Sequence, residues 1–301
     1  GRCRLASEIF SLKSPMSPTR CLASSTLPAL LAFLASVASL VAADKPAKPA
    51  VAPAENAVPR AELKAKVAPG ASLKFDFPEL TVDRKGELAA CHLILPANYD
   101  PAKKYPLIAW LAGGEGGNQP NKSFLPAGDF VRVGLPYPKG ANNPNQANMV
   151  GDYAKVWAYH RFMLEEIAKV IPNLDRSRSI IAGFSNGGHA IDGMLRVSGK
   201  PKPTDYFGIF VLADGGGTAY SSKGNLPDLK GKFAYVCWGS EKGSNKPNTS
   251  QLPKALKAKG ATVADVEMTN VGHAFPEPQQ AKAAQWIERI ALEPADAPAQ
   301  K

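Results

Sequence analysis

SIIAGFSNGGHA, residues 179–190, decides the fold. Ser179–Gly183 is a short apolar run suited to a strand buried on both faces. Asn186–Val197 then reads as a helix. Between them lies Gly183-Phe184-Ser185-Asn186-Gly187, the G-x-S-x-G pattern in the strand–turn–helix setting that a nucleophile elbow requires. So sharp a turn crowds the backbone around the serine, and glycines two residues to either side permit the close approach. The serine oxygen is thereby presented at a helix N-terminus, where backbone dipoles favour developing negative charge. Ser185 is the candidate nucleophile.

The same alternation extends outward. Ser72–Leu80 and Glu87–Leu95 read as strands, and Asn98-Tyr99-Asp100-Pro101 as a turn. Pro106–Ala112 (PLIAWLA) is a continuous apolar run, and Phe130–Leu135 is a short strand. Residues 136–148 are rich in Pro, Asn and Gly and read as an exposed loop. Val150–Ile171 carries apolar residues at helical spacing and stops at Pro172. Tyr206–Ala213, Phe233–Trp238 and Thr262–Met268 are further strands; Leu252–Lys259 and Gln279–Leu292 are helices. Strands separated by helices predict a mainly parallel three-layer α/β/α sandwich. No insertion is long enough for a large lid.

Two more strand ends carry chemistry. Val271-Gly272-His273-Ala274-Phe275 follows the last strand, and a neutral imidazole there can take a serine proton and return it to a leaving group. The chain has four histidines. His92 lies in an early strand and reads as a packed or edge residue. His160 reads as a surface residue of the long helix. His189 is one helical turn past Ser185, placed to line a pocket but poorly placed as a base. His273 is therefore the candidate base. Gly113-Gly114-Glu115-Gly116-Gly117, after the PLIAWLA strand, lets backbone N–H groups face an oxyanion.

Three stretches resemble the α/β-hydrolase superfamily: HLILPANYDPAKKYPLIAWLAGG (92–114), SIIAGFSNGGHA (179–190) and NVGHAF (270–275). In that superfamily the chain looks most like compact secreted serine esterases: polyhydroxybutyrate depolymerases, feruloyl esterases and carboxylesterases. The resemblance implies an eight-stranded sheet with Ser185 as nucleophile and His273 as base. It also implies oxyanion donors from the N–H of Asn186 and of Gly114 or Glu115. In that fold the second and seventh strands lie far apart, so Cys91 and Cys237 are expected as buried free thiols. Two departures stand out. Ala112 occupies the place where such esterases usually carry a histidine, and the loop after the seventh strand lacks the usual aspartate. Glu241 is the only carboxylate in that loop, 56 residues after Ser185 and 32 before His273. It is the preferred acid. Asp214, in LADGGG at the end of the sixth strand, is the alternative. Trp238, His189 and Trp110 are candidate linings of an open cleft.

The remaining sequence bounds the setting. Leu27–Ala43 (LPALLAFLASVASLVAA) follows Met16 and Arg20 and ends in small residues, as a secretory signal cut near Asp44 would. The expected organisation is 1–43 upstream residues and signal, 44–69 an Ala/Pro/Lys-rich linker, 70–292 the catalytic domain, and 293–301 a disordered tail. A secreted or periplasmic protein is expected, with no membrane anchor after cleavage. The whole chain carries +10; residues 1–43 hold four basic groups against one acidic, leaving near +7 for the rest. That charge has no nucleic-acid motif behind it and reads as solubility. At 45% hydrophobic residues and four cysteines in 301, the chain is neither fully disordered nor a disulfide scaffold. No metal or organic cofactor is expected, because no His/Cys/Asp cluster has ligand spacing. The expected partner is an ester substrate, small or polymer-linked. A serine peptidase of the same fold and a non-catalytic hydrolase-like binding protein are the alternatives.

Overall fold

The computed structural model describes residues 59–289. The apolar stretch Leu27–Ala43 and the tail from Glu293 lie outside the described residues. Among the described residues, no helix is long and apolar enough to cross a membrane.

Eight strands form one sheet: β1 (Ser72–Asp76), β2 (Ala90–Ile94), β3 (Leu107–Leu111), β4 (Val131–Gly134), β7 (Ile180–Phe184), β8 (Ile209–Ala213), β9 (Phe233–Gly239) and β10 (Thr262–Met268). Their order is β1-β2-β4-β3-β7-β8-β9-β10. β2 pairs antiparallel with β1 and β4, and every other pairing is parallel. β5 (Asn142–Asn143) and β6 (Gln146–Val150) make a separate two-stranded hairpin.

The continuous apolar runs form the middle of the sheet because both of their faces are covered. Leu107, Ala109, Leu111, Ile181, Phe210, Leu212 and Val236 point into one core cluster. Residues of α2 (Tyr153–Val170), α3 (Asn186–Leu195) and α5 (Leu252–Lys257) fill that cluster. The alternate residues Ile108, Ile180, Ala182, Ile209, Val211 and Cys237 point into the other, against Ala283, Ala284 and Ile287 of α6 (Glu277–Ile287). Fully buried aliphatic side chains such as Leu111 and Ile167 contribute roughly 1.5–3 kcal/mol each. α2 opens where Asp152 accepts a hydrogen bond from the Lys155 N–H, satisfying an otherwise orphaned first-turn donor. It ends before Pro172, which cannot continue a helix.

Three expectations need correction. The stretch 44–69 is not all linker: Arg60–Ala65 forms α1, which buries Leu63 and pairs Arg60 with Glu166 of α2 at 3.2 Å. Residues 136–148 are not an unbroken loop: they include β5 and the start of β6, and the hairpin runs on to Val150. His160 is fully buried, not on the surface; its Nε2 lies 2.8 Å from the Pro136 carbonyl. The chain that leaves β4 covers that side of α2. Cys91 and Cys237 are buried free thiols on β2 and β9, strands far apart in the sheet order.

Candidate active site

Parallel strands deliver three side chains to one edge. In the β7–β8 register Phe184 faces Ala213, so Ser185 and Asp214 leave adjacent strand ends together. In the β9–β10 register Gly239 faces Met268, which brings the loops carrying Glu241 and His273 alongside. Carboxyl ends of neighbouring parallel strands are where this class of sheet builds its sites.

Ser185 sits at φ 55° immediately before α3. A β-carbon on Gly183 would lie 2.5 Å from the Gly187 backbone, and one on Gly187 would lie 2.1 Å from the Leu111 carbonyl oxygen. Glycine is therefore obligatory on both sides of the turn. His273, in the loop after β10, rests its ring on Phe184, with centroids 4.9 Å apart. Its Nε2 is 2.8 Å from Ser185 Oγ, and its Nδ1 is 2.6 Å from Asp214 Oδ2. The Asp214 carboxylate is completely buried, whereas the imidazole is 39% exposed.

An ionised carboxylate only accepts, so Nδ1 carries the proton in this arrangement. Nε2 is then free to accept from the serine hydroxyl. The other carboxylate oxygen, Oδ1, accepts from the backbone N–H of Asn245 at 3.0 Å and of Gly239 at 3.3 Å. The buried charge thus has its hydrogen-bond partners, as burial of a carboxylate demands.

The preference for Glu241 is corrected here. Its backbone N–H donates to the Val271 carbonyl, but its side chain is exposed and accepts only from the Ser240 hydroxyl, at 3.3 Å. The carboxylate at the imidazole belongs to Asp214. Asp214 reaches it from a left-handed backbone, φ 43°, held by its N–H on the Cys237 carbonyl. The following glycines are forced by space: a β-carbon on Gly215 would lie 2.1 Å from the Ser185 carbonyl oxygen. A tight turn after the aspartate was the readable signal for this placement.

His189 and Trp238 do not line an open cleft. His189 is buried, and its Nδ1 accepts the Gly216 N–H at 2.7 Å, bracing the turn after Asp214. Trp238 is packed in the core, with its indole N–H directed at Glu267 Oε2 at 3.3 Å. Trp110 is half-buried against the second core cluster.

The glycine loop after β3 meets the serine closely, since a β-carbon on Gly113 would lie 3.1 Å from Ser185 Cβ. Gly114 adopts φ 56°, and its carbonyl accepts from the Asn186 side-chain amide at 2.9 Å. Asn186 also donates to the Asn148 carbonyl on the β5–β6 hairpin at 3.0 Å. Arg84 ties the same loop, pairing with Glu115 at 3.2 Å and donating to the Ala147 carbonyl at 2.9 Å. Tyr137, fully buried, donates its hydroxyl to the Ala112 carbonyl at 2.7 Å. That bond holds the backbone just before the glycine loop, and sequence reading missed Tyr137. Among the described residues, the N–H groups of Gly114, Glu115 and Asn186 have no backbone acceptor. No group of three or more His, Cys, Asp or Glu among the described residues is placed to hold a metal ion.

Burial holds the two structural histidines, His160 and His189, down to about 4 from their ordinary 6.5. Both are neutral in the fold, whereas the unfolded chain protonates them below 6.5. The unfolded state therefore binds more protons between those values, and stability rises with pH across that window. The contribution is fully present above pH 6.5 and lost as pH falls toward 4; its ceiling is about 3 kcal/mol per histidine. Urea midpoints at pH 7 and pH 4.5 should show the fall, and His160→Gln should flatten it. Equal midpoints at both pH values would contradict this account.

The chain has the α/β-hydrolase fold. No family model matches the sequence, and no curated protein matches it. Solved structures do. Thermogutta terrifontis esterase 2, in a form phosphoramylated by tabun, superposes with a TM-score of 0.54 at 15% identity, covering 74% of this chain and 96% of that one. A thermostable esterase gives 0.51 at 19% identity, covering 73% and 62%. A dipeptidyl aminopeptidase IV-like protein from Bacteroides ovatus gives 0.52 at 17% identity, covering 73% of this chain and 36% of that one. The match thus spans about a third of the aminopeptidase-like chain and under two thirds of the thermostable esterase.

Proposed function

We propose that the protein is a serine hydrolase that cleaves carboxylic esters through an acyl-enzyme on Ser185. The observation that carries this reading is the unbroken hydrogen-bonded line from Ser185 Oγ through His273 to Asp214 Oδ2, at 2.8 and 2.6 Å. As Oγ attacks the ester carbonyl, Nε2 takes its proton. The buried Asp214 carboxylate stabilises the imidazolium and keeps Nδ1 protonated. The tetrahedral oxyanion takes hydrogen bonds from the N–H of Asn186 at the start of α3 and from the Gly114 or Glu115 N–H. The imidazolium then protonates the leaving alcohol. Water activated by the same nitrogen releases the acid and regenerates the serine.

Exposure of the imidazole, and of Gly114 and Glu115, supports an open site suited to bulky or polymer-linked esters. Glycan-linked feruloyl esters and short polyesters belong beside p-nitrophenyl esters in the substrate panel. One fold neighbour, Thermogutta terrifontis esterase 2, has been solved phosphorylated by paraoxon, which suggests an organophosphorus reagent as the direct test. A fluorophosphonate probe should label the wild-type protein on Ser185, and the ester panel should show turnover. Absence of both would favour a non-catalytic binding protein. Labelling with turnover of peptides alone would favour a peptidase.

A further inference from the structure

The loop after β9 carries no acid at the imidazole, yet it grips the residue that does. Asn245 contributes two of the contacts that fix Asp214. Its backbone N–H donates to the carboxylate Oδ1 at 3.0 Å, and its side-chain amide donates to the Asp214 carbonyl at 2.6 Å. These bonds pin the side chain and the backbone of one residue from the same neighbour. The amide nitrogen also lies 3.5 Å from His273 Nδ1. Because Nδ1 donates its proton to Asp214 at 2.6 Å, two donors face each other across that gap. Asn245 thus touches the imidazole by packing, with no hydrogen bond to it.

Asp214 needs such a hold. Its left-handed φ of 43° is sparsely populated for a non-glycine residue and persists only where the surroundings over-determine it. Gly239, at the end of β9, supplies one further N–H to Oδ1. His189 braces the turn two residues on through the Gly216 N–H. Of these groups, Asn245 alone reaches both the acid's backbone and its carboxylate.

We propose that Asn245 is a positioning residue, fixing the Asp214 carboxylate against His273 so that the loop after β9 sets the acid it does not supply. The inference rests on the hydrolase reading of Ser185, His273 and Asp214.

Asn245→Ala keeps the backbone bond and removes the side-chain one. The carboxylate should drift from Nδ1, and the imidazolium should be less stabilised. Expected is a fall of about tenfold in kcat on p-nitrophenyl acetate, with KM little changed, because an interaction realised only in the transition state has weakened. The acid limb of the kcat profile should move to lower pH. Asn245→Asp is nearly isosteric but sets a second negative charge beside the imidazole and a repulsive oxygen against the Asp214 carbonyl. Its acid limb should move the opposite way, to higher pH, with kcat again lowered. A role confined to folding would leave the alanine limb in place, whereas the added aspartate charge moves its limb in either case. Should the alanine variant fail to fold, Asn245→Ser, which also lacks the amide that reaches the Asp214 carbonyl, decides by the same downward move of the limb. Wild-type kcat and an unmoved acid limb in the alanine or serine variant would overturn the inference. A wild-type chain that neither labels with fluorophosphonate nor turns over esters would instead overturn the hydrolase reading beneath it.

Discussion

Ser185→Ala should lower ester turnover by on the order of 10³-fold or more and abolish fluorophosphonate labelling, while the fold persists. The loss is large because nucleophile, base and acid act as a unit; without Oγ no acyl-enzyme forms, and His273 and Asp214 have nothing to activate. What remains is binding and the oxyanion donors. The fold should persist because the hydroxyl makes one side-chain hydrogen bond, to His273 Nε2, and supplies no cap to α3. Alanine fits the same space at φ 55° with no larger Cβ substituent than serine brings. Circular dichroism and thermal melting establish the fold, and single-turnover kinetics read the chemistry. A folded variant with wild-type turnover would remove Ser185 from the mechanism.

The sheet was legible because its inner strands are buried on both faces. PLIAWLA, SIIAG and YFGIFVLA became β3, β7 and β8, and the glycines around Ser185 marked the turn between β7 and α3. Features that depend on distant partners were not legible. α1 looks like linker because Arg60 pairs with Glu166, 106 residues away. His160 looks like a surface residue until Pro136, from the chain after β4, closes over it. The acid is the sharpest case. Glu241 and Asp214 both sit in loops beside His273, and sequence separation alone allows either. What separates them is backbone conformation: the turn at Asp214 folds inward under Ser185 and His189, while the backbone at Glu241 binds Val271 and leaves its side chain in solvent. Asn245, which secures that outcome, carries no titratable group and so gave no chemical signal.

Asp214→Asn should cost on the order of 10³–10⁴ in kcat, against a change of less than about threefold for Glu241→Gln. The reason lies in the proton inventory around one carboxylate. In the native site Oδ1 accepts the backbone N–H groups of Asn245 and Gly239, and Oδ2 accepts His273 Nδ1–H. An asparagine must keep its carbonyl oxygen on the two backbone donors. Its NH2 group then faces Nδ1, which can no longer be a donor. The imidazole is driven to the tautomer protonated on Nε2, which cannot take the serine proton. Catalysis is lost although every heavy atom stays in place. Glu241, exposed and bonded only to the neighbouring Ser240 hydroxyl, has no such coupling. Proton NMR supplies a check independent of rate: the low-field resonance of an Nδ1–H held at 2.6 Å from a carboxylate should vanish in Asp214→Asn and survive in Glu241→Gln. Equal losses in the two variants, or a larger one at Glu241, would return the acid to the loop after β9.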